Sequence, residues 1–242
     1  MAKIIGRNPV TEAIRAGRPV DKVLIQDGAG GAADRVRKLC KENGIRVESA
    51  TKKDLDRLAD GEAHQGIIAF ASVREYASVD DILAGAERSG EPPFIVILDG
   101  IEDPHNLGAI LRSAECAGAH GVIIPKRSAC GLTETVAKSS AGAVEYVPCA
   151  RVTNIARTIG ELKEKGLWIY ACDMDGVTFY EQDMTGPCAI VIGAEGKGIS
   201  RLVKEKCDFT VSMPLKGKIQ SLNASNAACV LMYEIRRQRD GK

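Results

Sequence analysis

Aromatic side chains and histidines are scarce in this chain. Phe, Trp and Tyr make up 4% of the 242 residues, and there are three histidines. So few rings do not favour a stacking surface for single-stranded RNA, which uses an aromatic side chain for each stacked base; they suit closely packed α/β layers. His64, His105 and His120 have no second histidine or carboxylate at a metal-site spacing. No metal is therefore predicted, and a structural role is favoured for each histidine.

Paired cysteines and long apolar runs are also missing. The eight cysteines are scattered without any C-x-x-C pair, mostly in apolar surroundings such as Ala129-Cys130. This excludes a zinc site or disulfide framework and predicts reduced, buried thiols. The N-terminus lacks an apolar signal region, and no apolar run approaches the roughly 18 residues of a membrane span. The sequence predicts a cytoplasmic protein with no membrane partner.

Charge gives little global information. The net charge is +1, whereas a strong nucleic-acid binder often has a clearly basic domain. Lys and Arg outnumber Asp and Glu thirteen to ten in residues 1–72, and six to two in residues 213–242. A solvated face and an RNA-facing surface explain these local excesses equally well, and the sequence does not decide between them.

Short β-rich runs alternate with helical stretches, as in α/β proteins. Residues 73–93 are rich in small and charged residues and end in Ser-Gly-Glu-Pro-Pro. They predict a linker, with one short helix near 80–87, between domains at 1–72 and 94–242. The expected helices include 9–16 with Asn8 as N-cap, Ala32–Glu42, Lys52–Ala59 and 223–239. Residues 94–98 read as a buried parallel strand, and residues 144–147 as extended.

The first of three segments that could carry chemistry is residues 99–112, which leave the carboxyl end of a buried strand. Open α/β sheets bind ligands at that end. Asn106 is expected to cap the following helix. Gly108 and Arg112 lie one turn apart, which predicts space for a sugar-phosphate or a second subunit. An exposed arginine on an amphipathic helix is the simpler alternative.

The second segment, residues 190–200, is a strand running into a glycine-rich turn. Its glycines follow G-x-x-G-x-G rather than the G-x-G-x-x-G of a dinucleotide fold, and Lys197 precedes Gly198 rather than Ser or Thr. This disfavours a dehydrogenase and a nucleotide hydrolase. The turn still permits close approach to a flat ligand, although a purely structural turn is equally acceptable.

The third segment, residues 212–226, leaves a strand and starts the last helix. Ser221, Asn223 or Ser225 could cap that helix, but capping explains only one of these polar residues. The apolar stretch at 224–233 that follows indicates a helix buried on most sides. A dimer interface is one way to cover it.

In order and together, the three segments resemble the SpoU (TrmH) family of RNA ribose 2′-O-methyltransferases. The matching pieces are D-P-H-N-L-G-A-I-L-R-S-A at 103–114, I-G-A-E-G-K-G-I at 192–199, and S-M-P-L with I-Q-S-L-N-A-S-N-A at 212–227. G-R-N-P-V-T-E-A-I at 6–14 and A-H-Q-G-I at 63–67 resemble the small L7Ae/L30e-type domain of the subgroup that methylates guanosine in 23S ribosomal RNA. The stretch at 141–154, with A-G-A-V-E-Y-V-P followed by R-V-T-N, is similar to that subgroup too.

The resemblance implies an α/β fold with a C-terminal trefoil-knot (SPOUT) methyltransferase domain, preceded by the small L7Ae/L30e-like α/β domain. It implies S-adenosylmethionine as cofactor, ribosomal RNA as partner, and a homodimer with the active site at the interface. The implied catalytic residues are Asn106, Arg112, Glu195, Ser221 and Asn223. The implied cofactor-binding residues are Gly193, Glu195, Gly196, Met213, Leu215 and Leu222. Met213 replaces the more usual isoleucine, and Asn226 replaces an apolar residue.

The implied reaction is an in-line displacement in which a ribose oxygen attacks the methyl of a sulfonium. The family proposal makes Arg112, from the partner subunit, the base. Arginine is a poor base, because its pKa exceeds about 12. We therefore expect Arg112 to anchor a phosphate and lower the pKa of the hydroxyl, with phosphate or water assisting proton removal. The alternatives are a tRNA or resistance-type ribose methyltransferase and a non-catalytic RNA-binding dimer.

Overall fold

The computed structural model describes residues 2–219 and 221–241, and the chain divides into two compact units. The first unit contains the residues up to 75 together with 131–134. The second contains residues 76–130 and those from 135 onwards. Gln220, part of the third segment, lies outside the described residues.

The first unit is built on a four-stranded mixed sheet in the order β1-β4-β2-β3. Strand β4 runs antiparallel to both β1 and β2, while β2 and β3 are parallel. The strands are β1 (Ala2–Ile5), β2 (Val20–Gln26), β3 (Arg46–Ala50) and β4 (Ile67–Ala71), and the helices are α1 (Arg7–Arg15), α2 (Ala32–Glu42) and α3 (Lys52–Ala59). The bounds predicted for α2 and α3 are confirmed.

Helices cover both faces of this sheet. Val23 and Ile25 of β2 pack with residues of α1 and α2, whereas Leu24 packs with Leu55 of α3. This follows from the alternation of side chains along a strand. The predicted Asn8 cap is wrong: α1 starts at Arg7 after Gly6, whose φ of 99° makes the sharp turn out of β1. A glycine accepts that angle without strain.

The second unit is built on a six-stranded parallel sheet in the order β10-β8-β9-β5-β6-β7. The strands are β5 (Phe94–Asp99), β6 (Gly121–Pro125), β7 (Cys149–Val152), β8 (Trp168–Thr178), β9 (Cys188–Gly193) and β10 (Phe209–Ser212). The helices are α4 (Val79–Ser89), α5 (Pro104–Cys116), α6 (Glu134–Ser139), α7 (Ile155–Glu164), α8 (Arg201–Lys206) and α9 (Ala224–Asp240), with 3-10 turns at Ala143–Glu145 and Phe179–Glu181. Strand β5 is apolar throughout its buried length, as predicted.

Alternating residues of β5 face two helical layers. Ile95 and Ile97 pack with Ile82 of α4 and Ile159 of α7. Helices α5 and α9 pack against each other, with α5 contacting β6 and α9 contacting β9. Helix α4 occupies much of the stretch predicted as a linker, and the domain limits at 72/73 and 93/94 stay predictions.

The extended conformation predicted for residues 144–147 is wrong. A 3-10 turn occupies Ala143–Glu145, and the strand follows at Cys149–Val152. Ala143, Val144 and Val147 are all buried. Val144 follows Ala143 directly, and Val147 comes three residues later, so the three side chains can lie on one side of a helical turn. The alternate residues of a strand would not give this spacing.

Candidate active site

The three segments meet at the carboxyl edge of the parallel sheet. One polar side chain comes from each of them: Asn106 from α5, Glu195 from the turn after β9, and Asn223 before α9. Asn106 Nδ2 donates to Glu195 Oε1 at 3.1 Å, and Asn223 Nδ2 donates to Asn106 Oδ1 at 2.9 Å and to Glu195 Oε1 at 2.5 Å. The three side chains form a closed hydrogen-bonded triangle, which we call the amide–carboxylate triangle.

Asn223 is held by the start of α9. Its Oδ1 accepts the backbone N–H groups of Ser225 at 2.9 Å and Asn226 at 3.3 Å, and the Ser225 hydroxyl at 2.6 Å. Asn223 is thus the cap of the last helix, as one of the three candidates was expected to be. Capping turns its Nδ2 towards Asn106 and Glu195.

Asn106 does not cap α5, which corrects the sequence prediction. Asp103 caps this helix by accepting the His105 N–H at 2.9 Å, and Pro104 occupies the first helical position. Proline is favoured there, because its fixed φ suits a helix and it has no N–H to leave unpaired. Asn106 therefore lies within the first turn, 6% exposed, and its amide is available to the triangle.

Glu195 is presented by a tight glycine turn. Ala194 and Gly198 exchange backbone hydrogen bonds of 3.1 and 2.8 Å across it. A Cβ on Gly193 would overlap the backbone at Gly198, and Gly196 and Gly198 have φ of 75° and 65°. The glycines are needed for the turn itself, and the turn aims Glu195 at Asn106.

A pocket of about 520 Å³ lies on one side of the triangle; we call it the β8 pocket. Its size is typical of sites for small molecules and cofactors. It is lined by Cys172, Asp173, Met174, Ile192, Gly193, Ala194, Glu195, Gly196, Gly198, Met213, Leu215, Ser221, Leu222, Asn223, Ala224 and Ala227. The structure thus brings together every residue expected to bind the cofactor. Residues 172–174, which lie within β8, were missed.

A second pocket of about 510 Å³, the β5 pocket, lies on the other side of the triangle. It is lined by Asp99, Gly100, Ile101, Glu102, Asp103, Asn106, Ser128, Ala194, Glu195, Lys197, Gly198 and Ser200. Asp99 accepts the Ser200 N–H at 2.7 Å. Both pockets include Ala194, Glu195 and Gly198 in their walls. The triangle therefore stands where two ligands could meet.

Arg112 stands apart from the other predicted residues. It is exposed on α5 and, in the part of the chain that the structure describes, lines neither pocket. The space predicted above Gly108 does not exist, because Ser139 of α6 fills it. The Ser139 hydroxyl donates to Thr135 O at 2.8 Å, which keeps it in place.

Thiol and metal chemistry have no support at this site. Burial raises the pKa of the Cys172 thiol to about 11, so the thiol stays protonated at neutral pH and is a weak nucleophile. Among residues 2–219 and 221–241, no three His, Cys, Asp or Glu side chains gather where they could hold a metal ion. No helix in these ranges is long and apolar enough to cross a membrane.

Comparisons with known proteins decide the family. Residues 93–233 match the model of the SpoU rRNA methylase family, and residues 3–77 match that of the RNA 2′-O ribose methyltransferase substrate-binding domain. The chain belongs to the SpoU family. It is 48% identical to Bacillus subtilis (strain 168) YacO, assigned to the TrmH family of tRNA/rRNA methyltransferases, over 98% of this chain and 96% of that one.

Two solved structures agree with this assignment. The SpoU methyltransferase AviRb from Streptomyces viridochromogenes, in complex with AdoMet, is similar with a TM-score of 0.64 and 26% identity, over 99% of this chain and 91% of AviRb. The A. aeolicus TrmH/SpoU tRNA modifying enzyme has a TM-score of 0.57 and 29% identity, over 62% of this chain and 77% of that enzyme. These likenesses confirm the predicted α/β SPOUT fold with an N-terminal substrate-binding domain.

This SpoU family member is an S-adenosylmethionine-dependent RNA 2′-O-methyltransferase. The β8 pocket fits that cofactor. Leu215 and Leu222, 38% and 44% exposed, would be covered by an adenosyl group. The glycine turn leaves its backbone open to close approach by a flat ligand.

Proposed function

We propose that this enzyme methylates the ribose 2′-hydroxyl of a guanosine in 23S ribosomal RNA. The observation that carries the proposal is the amide–carboxylate triangle between two pockets. A methyl transfer needs a donor and an acceptor held in line at one point. The β8 pocket would hold the donor and the β5 pocket the acceptor nucleoside.

The donor side follows from the lining of the β8 pocket. S-adenosylmethionine supplies the electrophilic methyl group. Met213, Leu215 and Leu222 would cover its apolar parts, and the backbone at Gly193 and Gly196 would lie against it. Asn223 belongs to both the pocket and the triangle, and Ser221 lines the pocket. Both would position the reacting groups.

The acceptor side favours guanine. Besides Glu195, three carboxylates line the β5 pocket, those of Asp99, Glu102 and Asp103. Asp99 and Asp103 accept backbone N–H groups, and Glu102 is exposed. Guanine presents two neighbouring donors, N1–H and N2–H, which a carboxylate can accept together; adenine has no such pair. Glu102 would therefore read the base, and Lys197 at the same pocket would meet a phosphate.

We assign removal of the 2′-hydroxyl proton to a neighbouring phosphate or to water, with Arg112 assisting. Arg112 would anchor the phosphate beside the acceptor ribose through its fork of donors and make the oxygen easier to deprotonate. The proton would leave to that phosphate or to water, because a guanidinium cannot accept it. Asn106 and Asn223 would keep Glu195 in a fixed orientation during the transfer.

A basic groove in the first unit supports RNA binding. It encloses about 560 Å³ between α1 and α2, and its lining includes Arg7, Arg15, Arg35 and Lys38 against Glu12 and Glu42. Phosphate contacts from such side chains supply much of the affinity for RNA. The sequence did not decide whether the excess of Lys and Arg in residues 1–72 faces solvent or RNA. With this groove, part of that excess would face RNA.

A homodimer would complete the site. Val230 and Tyr233, three residues apart on α9, are 41% and 49% exposed, and α9 packs on the helix that carries Arg112. Two copies joined through α5 and α9 would cover this apolar surface. Each would then bring Arg112 to the triangle of the other.

The test is to map 2′-O-methyl groups in ribosomal and transfer RNA from cells with and without this gene. Loss of one guanosine methylation in 23S RNA is expected. Loss of a tRNA methylation instead would support the alternative that the A. aeolicus likeness favours. A change at a resistance-type site in ribosomal RNA is a third outcome. Calorimetry showing no binding of S-adenosylmethionine would point to a non-catalytic RNA-binding dimer.

The base assignment has its own experiment. Transcripts of the methylated region should lose about tenfold in rate when the target guanosine is replaced by inosine, which lacks the N2 amino group. Glu102→Gln should reduce the difference between the two transcripts. Glu87→Gln, an exposed change on α4, is the matched control. We expect the enzyme to act in the cytoplasm, where thiols stay reduced.

A further inference from the structure

Strand β8 contains a segment that is not paired with either neighbouring strand. Strand β10 pairs with Tyr170 and Ala171, and its register then shifts to Val177 and Thr178. Residues 172–176 are left outside this pairing, and β9 pairs with β8 only as far as Ala171. We call residues 172–176 the arch.

The return of the arch to the sheet is fixed. A Cβ on Gly176 would lie 2.5 Å from the backbone of Thr210, so the two strands approach more closely than any other residue permits. The Ser212 hydroxyl donates to Gly176 O at 2.8 Å. The arch therefore has one anchored end and a tip that projects from the sheet.

Lys204 of α8 forms ion pairs with two residues of the arch. Its Nζ lies 2.8 Å from Asp173 Oδ2 and 2.6 Å from Asp175 Oδ1. These bonds raise the pKa of Lys204 and lower that of Asp175, so these two groups are charged at neutral pH. Asp173 also accepts the Met174 N–H at 2.7 Å. Two carboxylates from one short arch thus converge on a single ammonium.

The arch forms a wall of the β8 pocket through Cys172, Asp173 and Met174. Met174 is 70% exposed although its neighbours in the pocket include Leu215 and Leu222. Methionine is flexible and polarizable and adapts to ligand surfaces. A large apolar side chain left in water at the mouth of a pocket indicates a surface that a ligand covers.

We propose that Met174 is a contact residue for the adenosyl part of the cofactor and that Lys204 is the positioning residue that holds it there. Lys204 does not line the pocket; it acts by tying Asp173 and Asp175 so that the arch stays closed over the bound nucleoside. The proposal rests on the β8 pocket being the cofactor site.

Calorimetry with S-adenosylmethionine and S-adenosylhomocysteine tests both residues in the full-length protein. Lys204→Met and Met174→Ala should each raise Kd about tenfold, while Lys204→Arg and Met174→Leu should stay close to wild type. In methyl-transfer assays, the KM for S-adenosylmethionine should rise by a similar factor in Lys204→Met and Met174→Ala. Lys163→Met is the matched control, because it breaks an ion pair of 2.7 Å with Asp208 that is not part of the pocket.

The two ligands separate positioning from simple electrostatics. S-adenosylmethionine carries one more positive charge than S-adenosylhomocysteine. Positioning requires Lys204→Met to weaken both equally. If Lys204→Met strengthens binding of S-adenosylmethionine and leaves that of S-adenosylhomocysteine unchanged, the freed carboxylates act through their charge and the positioning role is wrong. A lowered Tm with unchanged Kd would make the tie purely structural.

Two further variants keep the outcome clear. Met174→Ala leaves the Lys204 tie intact, so it tests the contact even if Lys204→Met does not fold. Unchanged binding by Met174→Ala overturns the contact. Leu222→Asp should abolish cofactor binding if the β8 pocket is the site. If Leu222→Asp has no effect, the pocket assignment fails; if it abolishes binding while Met174→Ala does not change it, only this inference fails.

Discussion

Asn223 uses the two ends of one amide for two different tasks. Its oxygen caps α9, and its nitrogen donates to Asn106 and Glu195. Helix capping fixes the rotamer, so the orientation of the donor needs no further support. This couples the stability of the last helix to the geometry of the triangle.

Substitutions at Asn223 should separate these tasks. Asn223→Ser keeps an oxygen that can cap the helix but loses the amide donor. Methyl transfer in single-turnover assays should fall about 100-fold, the usual effect of removing a preorganised donor, with little change in urea unfolding. Asn223→Ala should lose the same activity and, in addition, about 1 kcal/mol of unfolding free energy. Full activity in Asn223→Ser would exclude the donor from the reaction.

Gly108 shows how far a single residue could be interpreted from the sequence. Helical spacing correctly placed it one turn from Arg112, but the sequence could not show what lies above it, because Ser139 comes from another helix 31 residues later. A Cβ at this position would overlap the Ser139 hydroxyl and lie 2.8 Å from its Cβ. The glycine allows α5 and α6 to approach and does not leave space for a ligand.

Gly108→Ala should therefore destabilise the protein by about 1–3 kcal/mol through overpacking. Ser139→Gly in the same chain removes the overlapping atoms and should restore part of the loss. A thermodynamic cycle of the four proteins by urea unfolding measures the coupling. Additive losses would show that the two residues do not compete for the same space.

At the scale of elements, the sequence predicted the helices and strands whose bounds depend on local residue patterns. It failed for elements whose position depends on neighbouring strands and helices. The bounds of α2 and α3 follow from apolar spacing and terminal residues, and they were predicted correctly. Strand β7 was missed, since it is short and depends on the sheet beside it. The arch of β8 is set by the register of β10, a strand that comes about 30 residues later.

His120 joins two elements and gives a pH-dependent prediction. Its Nδ1 accepts the Phe94 N–H at the start of β5, and its Nε2 lies 3.0 Å from Ser89 Oγ at the end of α4. Burial lowers the pKa of His120, with a smaller opposing effect from Glu91. The unfolded chain takes up this proton near pH 6.5, whereas the folded chain resists it, so stability should decline as the pH falls below that value.

His120→Asn should remove this dependence. Asparagine places an acceptor close to the position of Nδ1 and does not titrate, so the Phe94 N–H keeps a partner. Urea unfolding at pH 7.5 should show a loss of about 1 kcal/mol for the weaker packing and the lost Ser89 bond. The decline from pH 7.5 to pH 5.5 should be shallower than in wild type. Parallel curves for the two proteins would mean that other groups cause the decline.

At the scale of the whole molecule, the position of Arg112 is the feature that one chain does not explain. The triangle, the glycine turn and both pockets form within the second unit, so most of the predicted site is assembled in one copy. Arg112 is exposed on α5, the helix that packs against α9. The sequence could supply the residue but not its neighbour, because a partner subunit leaves no periodicity in the chain it covers.

Mixing two inactive proteins tests whether Arg112 acts across a dimer. Arg112→Ala and Asn223→Ser should each be inactive alone. If Arg112 serves the other subunit, each mixed dimer has one site with both residues intact. Random exchange in a two-fold dimer then restores about a quarter of wild-type activity. If Arg112 acts within its own chain, no mixed dimer has an intact site and the mixture stays inactive.

The same experiment needs a control for assembly. Val230→Asp with Tyr233→Asp should give a monomer by light scattering, because two charges would have to be buried in the interface. That monomer should still bind S-adenosylmethionine, since the β8 pocket forms within one chain, but it should not methylate RNA. Introducing these changes into both partners of the mixture should abolish the restored activity. If the mixture of these monomeric variants still recovered methylation activity, Arg112 would not act at a site shared by two subunits.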